Sequence, residues 1–385
     1  MTGCSRGERA RQSRPGNWVA VASLTRCGLG CSGSRSHSGG VTSLDLTRLP
    51  ETDPARAYHY RDSLYAADLI TAALVHFDFF SGLAKHPGNA EEIGARFGFA
   101  ARPADVLLTL CSANGFVERN AEGIFHITPA GRDHLTSDSP WNLAPYYASL
   151  KDRPVTLDYV RVLKTGRPAN WGGAQDSFDW HKAMEGEDFA RMFTATMDCR
   201  GRLLGPALAQ ALDLAGRHRV LDIAGGSGIY ACALVANSPG LLATVWEQSP
   251  VDRIACTRIA ELGYADRIEV AVGNMFQDRF PADCDVHLLS NVLHDWDTPE
   301  AGTLLGHSFA ALPAGGLLVI HDAFINAEKS GPLSVAEYSA LLMHSTQGKC
   351  FSTTEYAEML ERVGFVPGTY TDTAAGRGFM TARKP

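Results

Sequence analysis

The clearest chemistry in the chain is carried by nine residues, Val220-Leu-Asp-Ile-Ala-Gly-Gly-Ser-Gly228. An apolar run reaches Asp222, and Gly225, Gly226 and Gly228 follow it. Glycines at the end of a buried strand let the backbone turn tightly and approach a ligand closely. Asp222 stands where a carboxylate can meet the cationic amino group of a methionine moiety. Glu247 ends the next apolar run, 19 residues after Gly228. That spacing suits a carboxylate accepting hydrogen bonds from ribose hydroxyls. After the third run, Gly273-Asn274-Met275-Phe276 is placed to meet an adenine, with Asn274 serving the exocyclic amine and Met275 packing the ring. Phe276, and Ser290 at the end of the fourth run, complete the expected nucleoside site.

A nicotinamide dehydrogenase is the competing reading of the glycine turn. Ala231 stands at the third glycine position of GxGxxG, a change that fold tolerates, so spacing alone leaves both readings open. A P-loop is excluded, because no Gly-Lys-Ser/Thr follows.

These residues need a frame. From Arg217 onward, short apolar runs alternate with helical stretches: Val220–Ala224, Leu242–Trp246, Ile268–Val272, Val286–Leu289 and Gly316–Ile320. Such alternation predicts an α/β domain with a parallel sheet covered by helices. Ligands then sit at the carboxyl ends of the strands, where the motifs fall.

Upstream, Tyr58 to Leu83 reads as helical. Asn89-Ala-Glu-Glu opens a helix with a capping residue and early acids, and Arg102 to Cys111 forms another. Phe116–Arg119 and Ile124–Pro129 alternate like a hairpin around a polar turn. Helix, helix, hairpin is the winged-helix pattern. The expected division is a disordered extension over 1–48, a winged-helix-like dimerisation domain over 49–140, a helical connector lining the substrate pocket over 141–205, and a Rossmann-like domain over 206–385.

Bulk composition narrows the partners. The net charge of -7 argues against a general affinity for nucleic acid, which needs concentrated basic residues. No apolar run approaches the roughly 18–20 residues of a membrane span. Nine cysteines without a CxxC pair read as reduced thiols. A cytoplasmic protein acting on a small molecule is the expectation.

At this point the chain resembles the plant and bacterial O-methyltransferases, from about Tyr58 to its end. The likeness rests on Leu221-Asp-Ile-Ala-Gly-Gly-Ser-Gly, Gly273-Asn-Met-Phe, Asn291-Val-Leu-His294-Asp295-Trp296 and Leu312-Pro-Ala-Gly-Gly-Leu-Leu. It implies an N-terminal α-helical winged-helix dimerisation domain, a C-terminal Rossmann-like domain, S-adenosylmethionine as cofactor and a homodimer. It also implies that His294 is a general base oriented by acids, with Asp322 as one of them. The second family acid comes from a Gly-Gly-Lys/Arg-Glu-Arg-Thr segment. Here that segment reads Gln347-Gly348-Lys349-Cys350-Phe351-Ser352, so Cys350 replaces the acid.

A second departure is His344, where the family has an aliphatic residue. With His294 and Asp295 it makes two histidines and a carboxylate, a set able to hold zinc, iron or another divalent ion. The likeness is then to metal-dependent α-keto acid C-methyltransferases. Their metal would act as a Lewis acid on an enolate whose β-carbon takes the methyl group. This C-methylation is the leading expectation. The alternatives are O-methylation of a hydroxylated small molecule with His294 as base, and a winged-helix regulator that binds the methyl donor. Substrate contacts are expected from Trp141, Tyr147, Arg153, Arg161, Arg167, Met197 and Tyr338, the arginines being candidates for a carboxylate.

Overall fold

A computed structural model describes residues 24–25, 44–169 and 183–385. Most of the expected extension over 1–48, and residues 170–182 of the expected connector, lie outside the described residues.

In chain order the strands are β1 (Leu24–Thr25), β2 (Val117–Arg119), β3 (Phe125–Ile127), β4 (Arg219–Ile223), β5 (Leu242–Glu247), β6 (Ile268–Val272), β7 (Val286–Ser290), β8 (Leu317–Asp322), β9 (Val366–Asp372) and β10 (Gly378–Arg383). The five runs from β4 to β8 pair in parallel because they are apolar on both faces, which only a doubly covered sheet can bury. The sheet order is β1-β6-β5-β4-β7-β8-β10-β9. The chain winds outward from β4 through β5 to β6, then returns to the other side of β4 with β7. That reversal opens a crevice at the carboxyl ends of β4 and β7. Just beyond those two ends, Ala224 and Asn291 hold positive φ angles of 53° and 54°. Such a conformation is costly for a non-glycine residue and persists only when its surroundings enforce it.

β9 and β10 were not anticipated. β10 runs antiparallel to both β8 and β9. β9 is an exposed edge holding Pro367 and Gly368, so it carries no alternating apolar signal.

The N-terminal region has the expected order of two helices, Ala90–Phe97 and Ala101–Ala113, followed by the hairpin β2–β3. Asn89 and Glu92 form the capping box read from the sequence. The single helix expected over Tyr58 to Leu83 is instead broken into Ala55–Asp62, Ala66–Thr71, a π turn over Ala72–His76, and Phe79–Lys85. The last break falls at Asp78, whose φ of 45° cannot continue a helix. No single helix among the described residues is long and apolar enough to cross a membrane.

Two helices tie these layers to the crevice. Glu187–Ala211 lies against Ile229–Asn237, and a Cβ on Gly201 would stand 2.1 Å from Ile229 Cγ2. This close packing sets the residues around Arg200 over the glycine turn. Helix Leu333–Ser345 belongs in sequence to the sheet domain but packs into the N-terminal core against Ala101–Ala113 and Ala66–Thr71.

Candidate active site

The crevice contains a cavity of about 200 Å³, lined by the β4 turn, the ends of β5 and β7, the Gly273–Phe276 segment, His294–Trp296 and the helices above. Gly225 cannot carry a side chain, because a Cβ there would meet the Asp222 carboxylate at 2.6 Å. Asp222 therefore lies beneath the turn and outside the cavity lining. Its Oδ2 accepts from the Ala231 N–H at 3.2 Å, while Oδ1 is buried without a partner. Burial pushes its carboxyl up to about 7, against the pull of that N–H.

Glu247 lines the cavity. Its carboxylate accepts from the N–H groups of Gly226 at 3.0 Å and Gln248 at 2.8 Å. Burial raises it to about 7 in spite of these two bonds. A carboxylate has about four acceptor sites, so capacity remains for ribose hydroxyls. Gly273 gives the Trp246 ring its room, since a Cβ there would lie 1.9 Å from it. Trp246 Nε1 is buried without a partner at the same place. Asn274, Met275, Phe276 and Ser290 all line the cavity. Asn274 Oδ1, however, accepts from the Phe276 N–H at 2.9 Å and so holds its own turn. The unpartnered Trp246 Nε1, the Glu247 carboxylate and the backbone of the turn together fit a nucleoside with a ribose and an amino-acid tail, whereas Asp222, expected to meet that tail's amino group, is buried under the turn and does not line the cavity.

His294 sits at the far side of this cavity, 3% exposed, in a short 3₁₀ turn after β7. Its Nδ1 is hydrogen-bonded to Asp322 Oδ1. Asp322 ends β8, and its carboxylate also accepts from Tyr356 O–H at 3.0 Å and Ala323 N–H at 2.7 Å. Burial alone would raise Asp322, but His294 and these bonds outweigh it and hold the carboxyl below its ordinary value. With Nδ1 committed, Nε2 is the free nitrogen, 3.8 Å from Asp295 Oδ1. Burial pushes Asp295 up to about 6, opposed by His294 and Arg200. Cys350 is buried and does not line the cavity; its N–H donates to Ser339 Oγ.

The expected metal set is not assembled. His344 lies outside the cavity lining, with Nε2 3.1 Å from Asp158 Oδ2 and its ring beside Tyr65 and Tyr159. Among the described residues no group of three or more His, Cys, Asp or Glu side chains is placed to hold an ion. The reason is helical geometry. At about 100° per residue, His344 stands roughly 120° around its helix from Tyr338. Tyr338, Leu341, Leu342 and Ser345 share the cavity face, while His344 faces the N-terminal helices.

Of the expected substrate contacts, Met197 and Tyr338 line the cavity. Trp141 is 64% exposed and Tyr147 packs on the N-terminal core, both away from it. Arg153 pairs with Asp68 at 3.1 Å and Arg161 with Asp158. Arg167 is exposed, and its backbone N–H donates to Thr165 Oγ1. Two basic groups do line the cavity: Arg61, whose Nη1 lies 3.7 Å from Asp62 Oδ1, and Arg200, three residues after Met197. The sequence carried a signal for Arg200, since residues three apart share a helix face.

A family model for the O-methyltransferase domain matches residues 160–366. The chain belongs to this family of S-adenosylmethionine-dependent methyltransferases. Among its relatives, the 3-hydroxy-5-methyl-1-naphthoate 3-O-methyltransferase of Streptomyces sahachiroi is 30% identical over 305 residues, 78% of this chain and 86% of that protein. The L-tyrosine C(3)-methyltransferase of Streptomyces lavendulae is 27% identical, over 77% of this chain and 83% of that protein. Among solved structures, an O-methyltransferase family 2 protein from Planctomyces limnophilus in complex with apigenin has a TM-score of 0.80 at 30% identity, covering 90% of this chain and 100% of that one.

Proposed function

We propose that the protein O-methylates a phenolic hydroxyl on an aromatic small molecule, with His294 as general base. The observation that carries this reading is the His294–Asp322 pair, which leaves Nε2 free on the cavity side. S-adenosylmethionine, when bound, supplies an electrophilic methyl group. Glu247, the Gly225–Gly228 turn and the Met275–Phe276 segment would hold it. His294 Nε2 takes the proton from the acceptor's hydroxyl, and Asp322 stabilises the resulting imidazolium and fixes its orientation. Met197, Phe276, Trp296 and Tyr338 supply apolar and aromatic walls suited to a flat ring.

The metal-assisted α-keto acid route loses its support with His344, which serves Asp158 instead. The regulator reading is weakened as well. Helix Ala101–Ala113 is largely buried, and Arg102 is spent on the carbonyls of Gly348 and Gly166. A homodimer through the N-terminal layer is part of the proposal; exposed Leu64, Trp141, Leu143 and Tyr146 support it.

The test is transfer of labelled methyl from S-adenosylmethionine to a panel of phenols and α-keto acids, with products identified by mass spectrometry. An O-methyl phenol formed in the presence of a chelator supports the reading. Transfer confined to α-keto acids, or abolished by chelation, overturns it. Methyl on a ring carbon ortho to the hydroxyl would keep His294 as base but move the nucleophile, since a phenolate can attack through either atom.

A further inference from the structure

Arg200 is a half-buried cation with no ion-pair partner among the described residues; the carboxylates of Asp62 and Asp295 act on it only from beyond ion-pair distance. Its Nη1 donates to Tyr338 Oη at 3.4 Å and to Met197 Sδ at 3.5 Å, and its Nη2 to Asn291 Oδ1 at 3.2 Å. All three acceptors are neutral, and the contact to Tyr338 is at the limit of a hydrogen bond. Its Nε is enclosed and has no partner. Arg377 differs: its guanidinium carbon lies 4.2 Å from the centre of the same Tyr338 ring and its Nε too has no partner, but its Nη2 pairs with Asp62 at 3.1 Å. A guanidinium has five N–H donors in a planar fork that matches a carboxylate. Held half-buried with only neutral hydrogen-bond partners, the fork keeps donors that something else can complete.

Its position says what that is. Arg200 and His294 each lie 5.7 Å from the Tyr338 ring, Arg200 measured from its guanidinium carbon and His294 from its ring centre. Asn291, which accepts from Arg200, is three residues before His294 on the same loop. The fork thus belongs to the part of the cavity where the base works.

We propose that Arg200 is the subsite for a carboxylate on the acceptor, so that the substrate is a hydroxylated aromatic acid. This rests on the proposed O-methylation for the hydroxyl, and on Arg200 alone for the acid. The ring lies along Tyr338, its hydroxyl at His294 Nε2 and its carboxylate on the Arg200 fork.

The test measures binding, independently of turnover. 3-Hydroxy-2-naphthoate and its methyl ester are titrated by calorimetry into the wild-type protein and into Arg200→Gln and Arg200→Lys, each saturated with S-adenosylhomocysteine. The wild type is expected to bind the acid more tightly than the ester. Arg200→Gln should weaken the acid roughly 10- to 100-fold, the range for a charge-assisted hydrogen bond, and leave the ester within about twofold. Arg200→Lys should restore part of the preference. A melting profile like the wild type's shows that a variant is folded. If Arg200→Gln instead weakens S-adenosylhomocysteine and leaves the acid-to-ester ratio alone, Arg200 serves the cofactor's carboxylate and the proposal is overturned. Equal binding of acid and ester by the wild type also overturns it. Acid binding that depends on Arg200, without methyl transfer to any phenol, would keep the subsite and sink the O-methylation reading.

Discussion

Asp322 holds His294 through Nδ1, and that single bond decides which imidazole nitrogen faces the cavity. Asp322→Asn would present an amide in place of the carboxylate and would lose the stabilisation of the imidazolium. His294→Ala removes the base outright and is expected to lower kcat roughly 10²- to 10⁴-fold. Asp322→Asn should lower it in the same direction, through the wrong tautomer. Neither change touches Glu247 or the glycine turn, so S-adenosylhomocysteine affinity should stay near the wild-type value. Steady-state kinetics and a cofactor titration check both points; a wild-type kcat in His294→Ala would remove the base from the mechanism.

Asp222 and Glu247 give the cofactor side its own pH dependence. Both are raised to about 7, chiefly because burial disfavours their charge. A carboxyl raised on folding keeps its proton in the folded chain at pH values where the unfolded chain has released it. From the ordinary values of 3.8 and 4.5 up to about 7, the folded state therefore binds more protons, and these groups make the cofactor-free protein less stable as pH rises. Above about 7 their contribution is flat. Glu247→Gln removes one titration. Melting temperatures across this window should fall less steeply in the variant, and identical slopes would show that Glu247 titrates as an ordinary carboxyl.

The cofactor half of the site was legible because its signals are local. A strand, a glycine turn and an acid at the next strand end lie within 28 residues, from Val220 to Glu247, and period and spacing specify them together. His294 was legible through the family resemblance carried by Asn291-Val-Leu-His294-Asp295-Trp296. His344 was misplaced because spacing along a chain does not reveal which side of a largely buried helix meets which layer. In Leu333–Ser345 the polar residues Ser334, Glu337, Ser339, His344 and Ser345 are scattered around the helix, so no polar stripe marked its cavity face. Arg200 was passed over for arginines earlier in the connector, yet Asp68 and Asp158 already claim Arg153 and Arg161, and Arg167 is exposed away from the cavity.

His344→Ala separates the two chemistries directly. The ring contacts Tyr65, Tyr159 and Asp158, none of which lines the cavity. The variant should lose about 1–3 kcal/mol of stability, from a partly filled gap and the lost bond to Asp158, which keeps Arg161. Its kcat should stay within about threefold of wild type, because no group at the base has moved. Thermal melting and kinetics on the same preparation report the two effects separately. Complete loss of transfer in a folded His344→Ala protein would return His344 to the site.

Gly348 offers a way to move the base without changing it. A Cβ at this position would stand 2.0 Å from the carbonyl oxygen of His294 and 2.6 Å from the backbone nitrogen of Trp296. Both are main-chain atoms, so neither can swing aside as a side chain would. Gly348 cannot retreat freely either, since its carbonyl accepts from Arg102 Nη1 at 2.7 Å. In Gly348→Ala the strain must therefore displace the His294 turn. A displacement of about 1 Å at a catalytic group can cost on the order of 100-fold in rate. The expected outcome is a kcat lowered by about that factor, with S-adenosylhomocysteine binding within about twofold, because the turn over Gly225–Gly228 and Glu247 belong to other segments. If kcat and the melting temperature both survive Gly348→Ala, the close approach of Gly348 to His294 is not what fixes the base.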